Sequence, residues 1–497
     1  MAANQTQVQR WDIFELRLNG PETGNPFLEV SLKALFQFKN RTIECSGFYD
    51  GDGVYRIRFM PDTPGTWRYR IESSAGELAG REGEFQCVEA SGSNHGPVGI
   101  RNRYHFAYAD GTAFHPIGTT CYAWVHQGEE LEKNTLATLR TAPFNKIRMC
   151  VFPKHYAFNE NEPPRHIFEV VSSAGSDSSG KLDTTRFNPD YFRHLEKRIG
   201  QLRDLGIEAD IVLFHAYDRW GYADMGAEAD DRYLRYTVAR LAAFRNVWWS
   251  LANEYDLMKS KSMSDWDRFF RIVREEDPHG HLRSIHNCRG FYDHGKPWIT
   301  HQSIQYNSSD MRKVAEWREQ YQKPLLIDEC GYEGNIHLGW GNLPARELVC
   351  RCWEILTRGG YPTCHGETYV HPQDILWWSK GGALHGESPE RLEFLRQILD
   401  EAPSDELEPV DFGHDVGCVG KPVSSGKPGE YYLLYFGIRQ PAFRRLDLPE
   451  DHRFIIDVID TWEMNVQRAC GSFSGKCQIE LPGKPYVALR IVRQTDT

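Results

Sequence analysis

Between about residues 110 and 400, short apolar runs alternate with stretches of helical periodicity, and that alternation leaves the chain few folds. A strand, a crossing helix and a second strand pair in parallel, and parallel sheets bury both faces, so their strands read as near-continuous apolar runs. Eight runs of this kind are present: Phe114 to Trp124, Asn145 to Pro153, Glu208 to Tyr217, Val247 to Asp256, Arg283 to Cys288, Trp298 to Tyr306, Pro324 to Gly331 and Tyr361 to Tyr369. The helices between them are legible. Asn188-Pro189-Asp190 opens one in which Phe192, Leu195, Ile199 and Leu202 recur at helical spacing before Gly206 ends it. Another begins near Ser264 and carries Trp266, Phe269, Phe270 and Val273 on one side. Eight units in this span predict an α/β protein centred on a (β/α)₈ TIM barrel, a fold of ~250 residues that places its chemistry at the C-terminal ends of the strands.

At 497 residues the chain exceeds what one core usually supports, and the pattern changes on both sides of the barrel. Val54 to Phe59, the turn Pro61-Asp62-Thr63-Pro64-Gly65 and Trp67 to Ile71 read as a hairpin of alternating polarity. We expect an immunoglobulin-like β-sandwich over residues 1–97, with Ser91 to Pro97 as linker, and the catalytic barrel over 98–404. Tyr431 to Phe436, Phe454 to Ile459 and Tyr486 to Val492 predict a small β-domain over 405–497. Ser172 to Gly180 is a low-complexity stretch expected to form a flap over the active-site face.

The bulk properties exclude several classes of function. No run of roughly 18 apolar residues is present, which argues against a membrane span, and a net charge of −11 argues against a nucleic-acid partner. Twelve cysteines are scattered through strand-like stretches, as reduced buried thiols are. Cys350 and Cys352 lie in a helical segment with no second pair to complete a zinc site. The opening MAANQTQVQRWDIFEL has no basic segment followed by an apolar one, so a cytoplasmic location is expected. A homo-oligomer is compatible with these properties.

Hydrolysis of a glycosidic bond needs two carboxyl groups, one protonated to assist departure and one ionised to attack or to activate water. The fourth run ends in Asn253-Glu254 and the seventh in Asp328-Glu329. An ionisable group ending a buried strand is expensive as core, which marks both glutamates as catalytic candidates. Asn-Glu after the fourth strand with Glu after the seventh resembles the retaining clan A glycoside hydrolases, and Leu251-Ala252-Asn253-Glu254-Tyr255-Asp256 is most similar to their apiosidase-like branch. The resemblance implies Glu254 as acid/base, Glu329 as nucleophile and Asn253 as the amide that meets the sugar 2-hydroxyl. It further implies Arg148 beside the nucleophile and Tyr306 hydrogen-bonded to it. His215 ends the third strand and is a candidate substrate contact. Where the clan often carries an aromatic platform after the eighth strand, this chain has Cys364-His365-Gly366-Glu367-Thr368-Tyr369, so His365 and Glu367 are read as sugar-hydroxyl ligands. Tyr122, Trp124, Trp340 and Trp377 are candidates to stack on sugar faces.

This reading expects a carbohydrate or glycoside substrate and no cofactor or metal. Two others compete. A metal-dependent amidohydrolase would use His215, His286, His301 and Asp328, but it calls for an HxH pair at the first strand, which here reads Thr119-Thr120-Cys121-Tyr122-Ala123-Trp124. A noncatalytic carbohydrate-binding protein would not need both carboxylates.

Overall fold

The computed structural model describes residues 6–171, 181–371, 375–403, 406–413, 416–421 and 429–494. The flap expected at Ser172 to Gly180 lies outside the described residues. Its flanks, Phe168–Val171 and Lys181–Phe187, pair antiparallel as a hairpin that periodicity did not suggest.

Eight parallel strands close the barrel. Gly118–Thr120, Lys146–Cys150, Glu208–His215, Val247–Asn253 and Arg283–Ser284 form one sheet, and Gln302–Gln305, Leu325–Glu329 and Tyr361–Pro362 a second. Single parallel bridges, His286 to Ser303 and Thr119 to His365, join the two into a ring. Most of the strands are shorter than the apolar runs because the chain leaves the barrel to build loops. Trp124–His126 is a 3₁₀ turn, and Glu367–Thr368 pairs with Glu333–Gly334 beyond the barrel rim.

Local chemistry sets the helices between them. Asn188 accepts from the backbone N–H of Asp190 at 3.1 Å and Pro189 occupies the first turn, which starts Pro189–Asp204. A reciprocal capping box between Ser262 and Asp265 starts Met263–Glu276, which buries Trp266, Phe269, Phe270 and Val273 against the barrel.

Phe114 does not belong to the first barrel strand. It lies in a three-stranded antiparallel sheet, Val98–Arg101, His105–Tyr108 and Ala113–Phe114, that plugs the N-terminal mouth. Phe106 and Phe114 pack there on Trp248, Leu282, Leu326 and Tyr361, which closes this end of the barrel.

The two flanking β-units attach differently. The N-terminal unit is one seven-stranded sheet folded on itself, with Arg41–Tyr49 passing between its layers: residues up to Ser46 pair with Leu32–Phe38, and Gly47 onward with Val54–Phe59. Phe14, Phe36, Phe59, Trp67 and Phe85 form a core of its own. The C-terminal unit is a six-stranded sheet beside a two-stranded antiparallel sheet, and Tyr431, Leu433, Tyr435, Ile459 and Trp462 on its inner side join the barrel's apolar core.

Candidate active site

At the open end of the barrel, a cavity of about 230 Å³ is lined by Tyr122, Lys154, Tyr217, Asn253, Glu254, Gln305, Glu329, Trp340 and Trp378, among others. The volume is below the ~300–1,000 Å³ of common ligand sites, the scale of a single small ring.

Asn253 ends the fourth strand, and Glu254 follows with a left-handed backbone, φ 51°. Successive strand residues point to opposite faces; the left-handed turn breaks that alternation, so both side chains reach the cavity. The Asn253 Oδ1 accepts from the Tyr122 hydroxyl at 2.7 Å and from Arg148 Nη2 at 3.3 Å, leaving the Nδ2 hydrogens for the cavity and, at 3.5 Å, for Glu254. Glu254 accepts from the Tyr217 hydroxyl on Oε2. Oriented by its acceptors, Gln305 donates to Oε1 of Glu254 at 3.1 Å and to the Asn287 carbonyl at 3.1 Å.

Glu329 ends the seventh strand and accepts from the Tyr122 hydroxyl. Burial, then the neighbouring Glu254, raises its carboxyl above the usual carboxylate range, while Arg148, Tyr122 and Lys154 pull the other way. A phenol has one hydrogen, and Tyr122 faces two acceptors, so a proton on Glu329 turns the Tyr122 hydrogen to Asn253. Burial first, then Glu329, raises the Tyr122 hydroxyl, and burial, then Glu254, raises that of Tyr217, so both stay neutral donors.

Below the pair is a charged layer in the barrel interior. Lys146 and Arg148 alternate on the second strand and so share a face. Lys146 Nζ reaches Asp210 at 2.6 Å and Asp328 at 3.0 Å; Arg148 Nη1 reaches Asp328 at 3.2 Å. Asp328 also accepts from Ser303 and Thr363, so four donors, from the second and sixth strands and from just past the eighth, converge on it. Burial opposes its ionisation, but Lys146 and Arg148 outweigh that and hold it well below the usual range. Ionised Asp328 fixes Arg148, which orients Asn253.

The structure brings Glu254, Glu329, Asn253, Arg148, Tyr122 and Trp340 together and sets the other sequence candidates apart. The ring of Tyr306 packs on Trp317 at 4.9 Å, and only its backbone N–H meets Glu329, at the carbonyl, 2.8 Å; the phenol on the Glu329 carboxylate is Tyr122's. His215 lies behind the wall, its ring tilted against Phe152 at 4.1 Å, and burial, then Lys154, pushes it down to about 3, which keeps it neutral. Trp124 is fully buried in the core. Trp377 donates to Thr119 at 2.8 Å, and its neighbour Trp378 lines the cavity instead. His365 binds Thr119 at 2.8 Å and stacks on Phe144, while Glu367 accepts from the His385 N–H at 2.7 Å, so both hold the eighth-strand loop from outside the cavity lining.

Sequence reasoning missed Lys154, Tyr217 and Gln305 as cavity groups, although each stands at or just past the end of a barrel strand, where function was to be sought. For a metal, the one group of three ligand-type residues within reach of one another among the described residues is Glu129, Glu132 and His194 on outer helices, and Arg198 already pairs with both glutamates. No helix among the described residues is long and apolar enough to cross a membrane.

The apiosidase-like catalytic domain family matches residues 100–401, and two domains of unknown function match the flanks, DUF5060 over 7–74 and DUF5605 over 420–492. No curated protein sequence matches the chain. Among solved structures, a candidate glycoside hydrolase of Bacteroides vulgatus is 40% identical and superposes with a TM-score of 0.92 over 99% of this chain and 100% of that one. A family 5 glycoside hydrolase of the same organism superposes with a TM-score of 0.60 at 15% identity, over 80% of this chain and 94% of that one, a likeness of fold alone.

Proposed function

Because this chain belongs to the family of apiosidase-like catalytic domains and is a glycosidase, we propose that it hydrolyses small glycosides or oligosaccharides by double displacement, with Glu329 as nucleophile and Glu254 as acid/base. The observation that carries this reading is that Glu329, which ends its strand, and Glu254, one residue past the end of its own, share one cavity, each under its own phenol. The chemistry is assigned to the barrel, 98–404, between β-domains at 1–97 and 405–497.

Glu329 is read as the nucleophile from its place at the end of the seventh strand, with Arg148, Tyr122 and Lys154 opposing the rise that burial and Glu254 impose on its carboxyl. Its carboxylate attacks the anomeric carbon as the glycosidic C–O bond breaks, and Glu254 transfers its proton to the departing oxygen. Water then attacks the anomeric carbon, Glu254 takes a proton from it, and the ester bond to Glu329 breaks, regenerating both groups. The Asn253 amide, oriented by Tyr122 and Arg148, is placed to meet the sugar 2-hydroxyl, while Trp340 and Trp378 offer ring faces. Twelve unbridged thiols fit work in a reducing compartment, so action in the cytoplasm on imported glycosides is part of the proposal.

Leaving-group dependence tests the roles. Glu329→Ala should abolish turnover of every glycoside, whereas Glu254→Ala should lose about 10²- to 10⁴-fold on poor leaving groups and little in the first step on dinitrophenyl glycosides. Near-parental turnover in both variants would overturn the proposal.

A further inference from the structure

Lys154 transfers no proton and forms no bond in the double displacement, yet it sits in the cavity wall with 3% of its surface exposed. No carboxylate lies in ion-pair reach of its ammonium among the described residues. Aromatic faces surround it instead: Nζ is 3.8 Å from the ring centre of Tyr122, 4.4 Å from Tyr217 and 4.7 Å from Trp378. The two nearest rings are the two whose hydroxyls hold the two catalytic glutamates. An ammonium over a phenol face is attracted by the ring and withdraws electron density from it, which restrains the ring and strengthens its O–H as a donor.

We propose that Lys154 is a positioning residue for both carboxylates, holding Tyr122 and Tyr217 by their ring faces so that each hydroxyl stays on its glutamate. This rests on the reading of Glu254 and Glu329 as the catalytic pair. The titratable and charged groups facing Lys154 are Tyr122, Tyr156, Tyr217, Cys150, Arg148, His215, Glu254 and Glu329. Of these groups, the two glutamates gain most from stronger donors, because each accepts from a phenol that the ammonium touches.

Isotope-edited infrared titration of the full-length protein reads the carboxyl groups without a substrate, with Glu254→Gln and Glu329→Gln used to assign their bands. In Lys154→Met both bands should protonate at higher pH by about one unit, the scale of a unit charge lost several ångströms away at an effective dielectric of about 20. Lys154→Arg should restore the parental midpoints. In a Tyr217→Phe background, Lys154→Met should shift the Glu254 band less than it does alone, because the route through that hydroxyl is gone. Unmoved bands in Lys154→Met with an unchanged thermal midpoint, or full additivity with Tyr217→Phe, would overturn the proposal. If the glutamine variants remove no titrating band while Glu254→Ala and Glu329→Ala both turn over glycosides at parental rates, the pair reading itself fails, and this proposal with it.

Discussion

Beneath the cavity, Lys146 and Arg148 face Asp210 and Asp328; at the seam between the N-terminal sheet and the barrel, Arg58 and Arg240 face Glu196 and Asp50. Both clusters are buried and both balance two cations with two anions, but they hold different things in place. The first lies within the barrel, and Arg148 passes its orientation upward to Asn253. The second joins a unit with its own apolar core to the barrel's helices and continues outward through Arg56, Glu15 and Arg193 to solvent. The C-terminal unit also has a core of its own, around Leu434, Phe454 and Leu489, but its other face adds Leu433, Tyr435 and Ile459 to the barrel's apolar core, so apolar burial contributes more to its attachment. Ion pairs of this kind are weak evidence for net stability, and their use here is to fix geometry.

Arg148→Met separates the two clusters most sharply. It leaves Asp328 and Asp210 short of a cation and should cost about 3–5 kcal/mol of stability, the scale for breaking a buried pair. It should also lower kcat/KM by about 10²-fold or more, because Asn253 and Glu329 lose their orienting charge. Arg240→Met should cost a similar ~3–5 kcal/mol yet leave kcat/KM of the folded protein near parental. Thermal unfolding and steady-state kinetics on one dinitrophenyl glycoside check both; parental kcat/KM in Arg148→Met would reduce the first cluster to a structural one.

A smaller effect appears in acid. Burial opposes ionisation of Glu196, but Arg58 and Arg240 outweigh it and bring the carboxyl down to about 2, from 4.5. A folded value below the unfolded one contributes stability above about 4.5 that is lost as pH falls through about 2, on the order of 3 kcal/mol. The seam should therefore loosen between these values, read as faster amide exchange in residues 41–59 and around Glu196. Glu196→Gln should weaken the seam at neutral pH and flatten this acid dependence; an unchanged acid profile would show that the seam is not held by this carboxylate.

The barrel was legible in the sequence because strand–helix alternation is local, and the two glutamates stood out there as candidates because a carboxylate ending an apolar run announces its cost. The partners of those glutamates were not. Whether Tyr122 or Tyr306 meets Glu329 depends on how the first, sixth and seventh strands stagger, and no local pattern records that. Lys146 and Asp210 read as polar positions within strands, and only strand register makes them a charged layer. His365 and Glu367 followed the eighth run as expected but turned to Thr119 and the His385 backbone, contacts set by a loop that closes late in the chain.

The division of labour between the two glutamates is the central claim, and the anomeric configuration of the azide product tests it most directly. Removing the nucleophile leaves one face open, so Glu329→Ala with azide should give an inverted glycosyl azide in a single displacement. Removing the acid/base stalls the glycosyl-enzyme, so Glu254→Ala with azide and a dinitrophenyl glycoside should give the retained azide. Retained product from Glu329→Ala together with inverted product from Glu254→Ala would show that the roles are the reverse of those assigned.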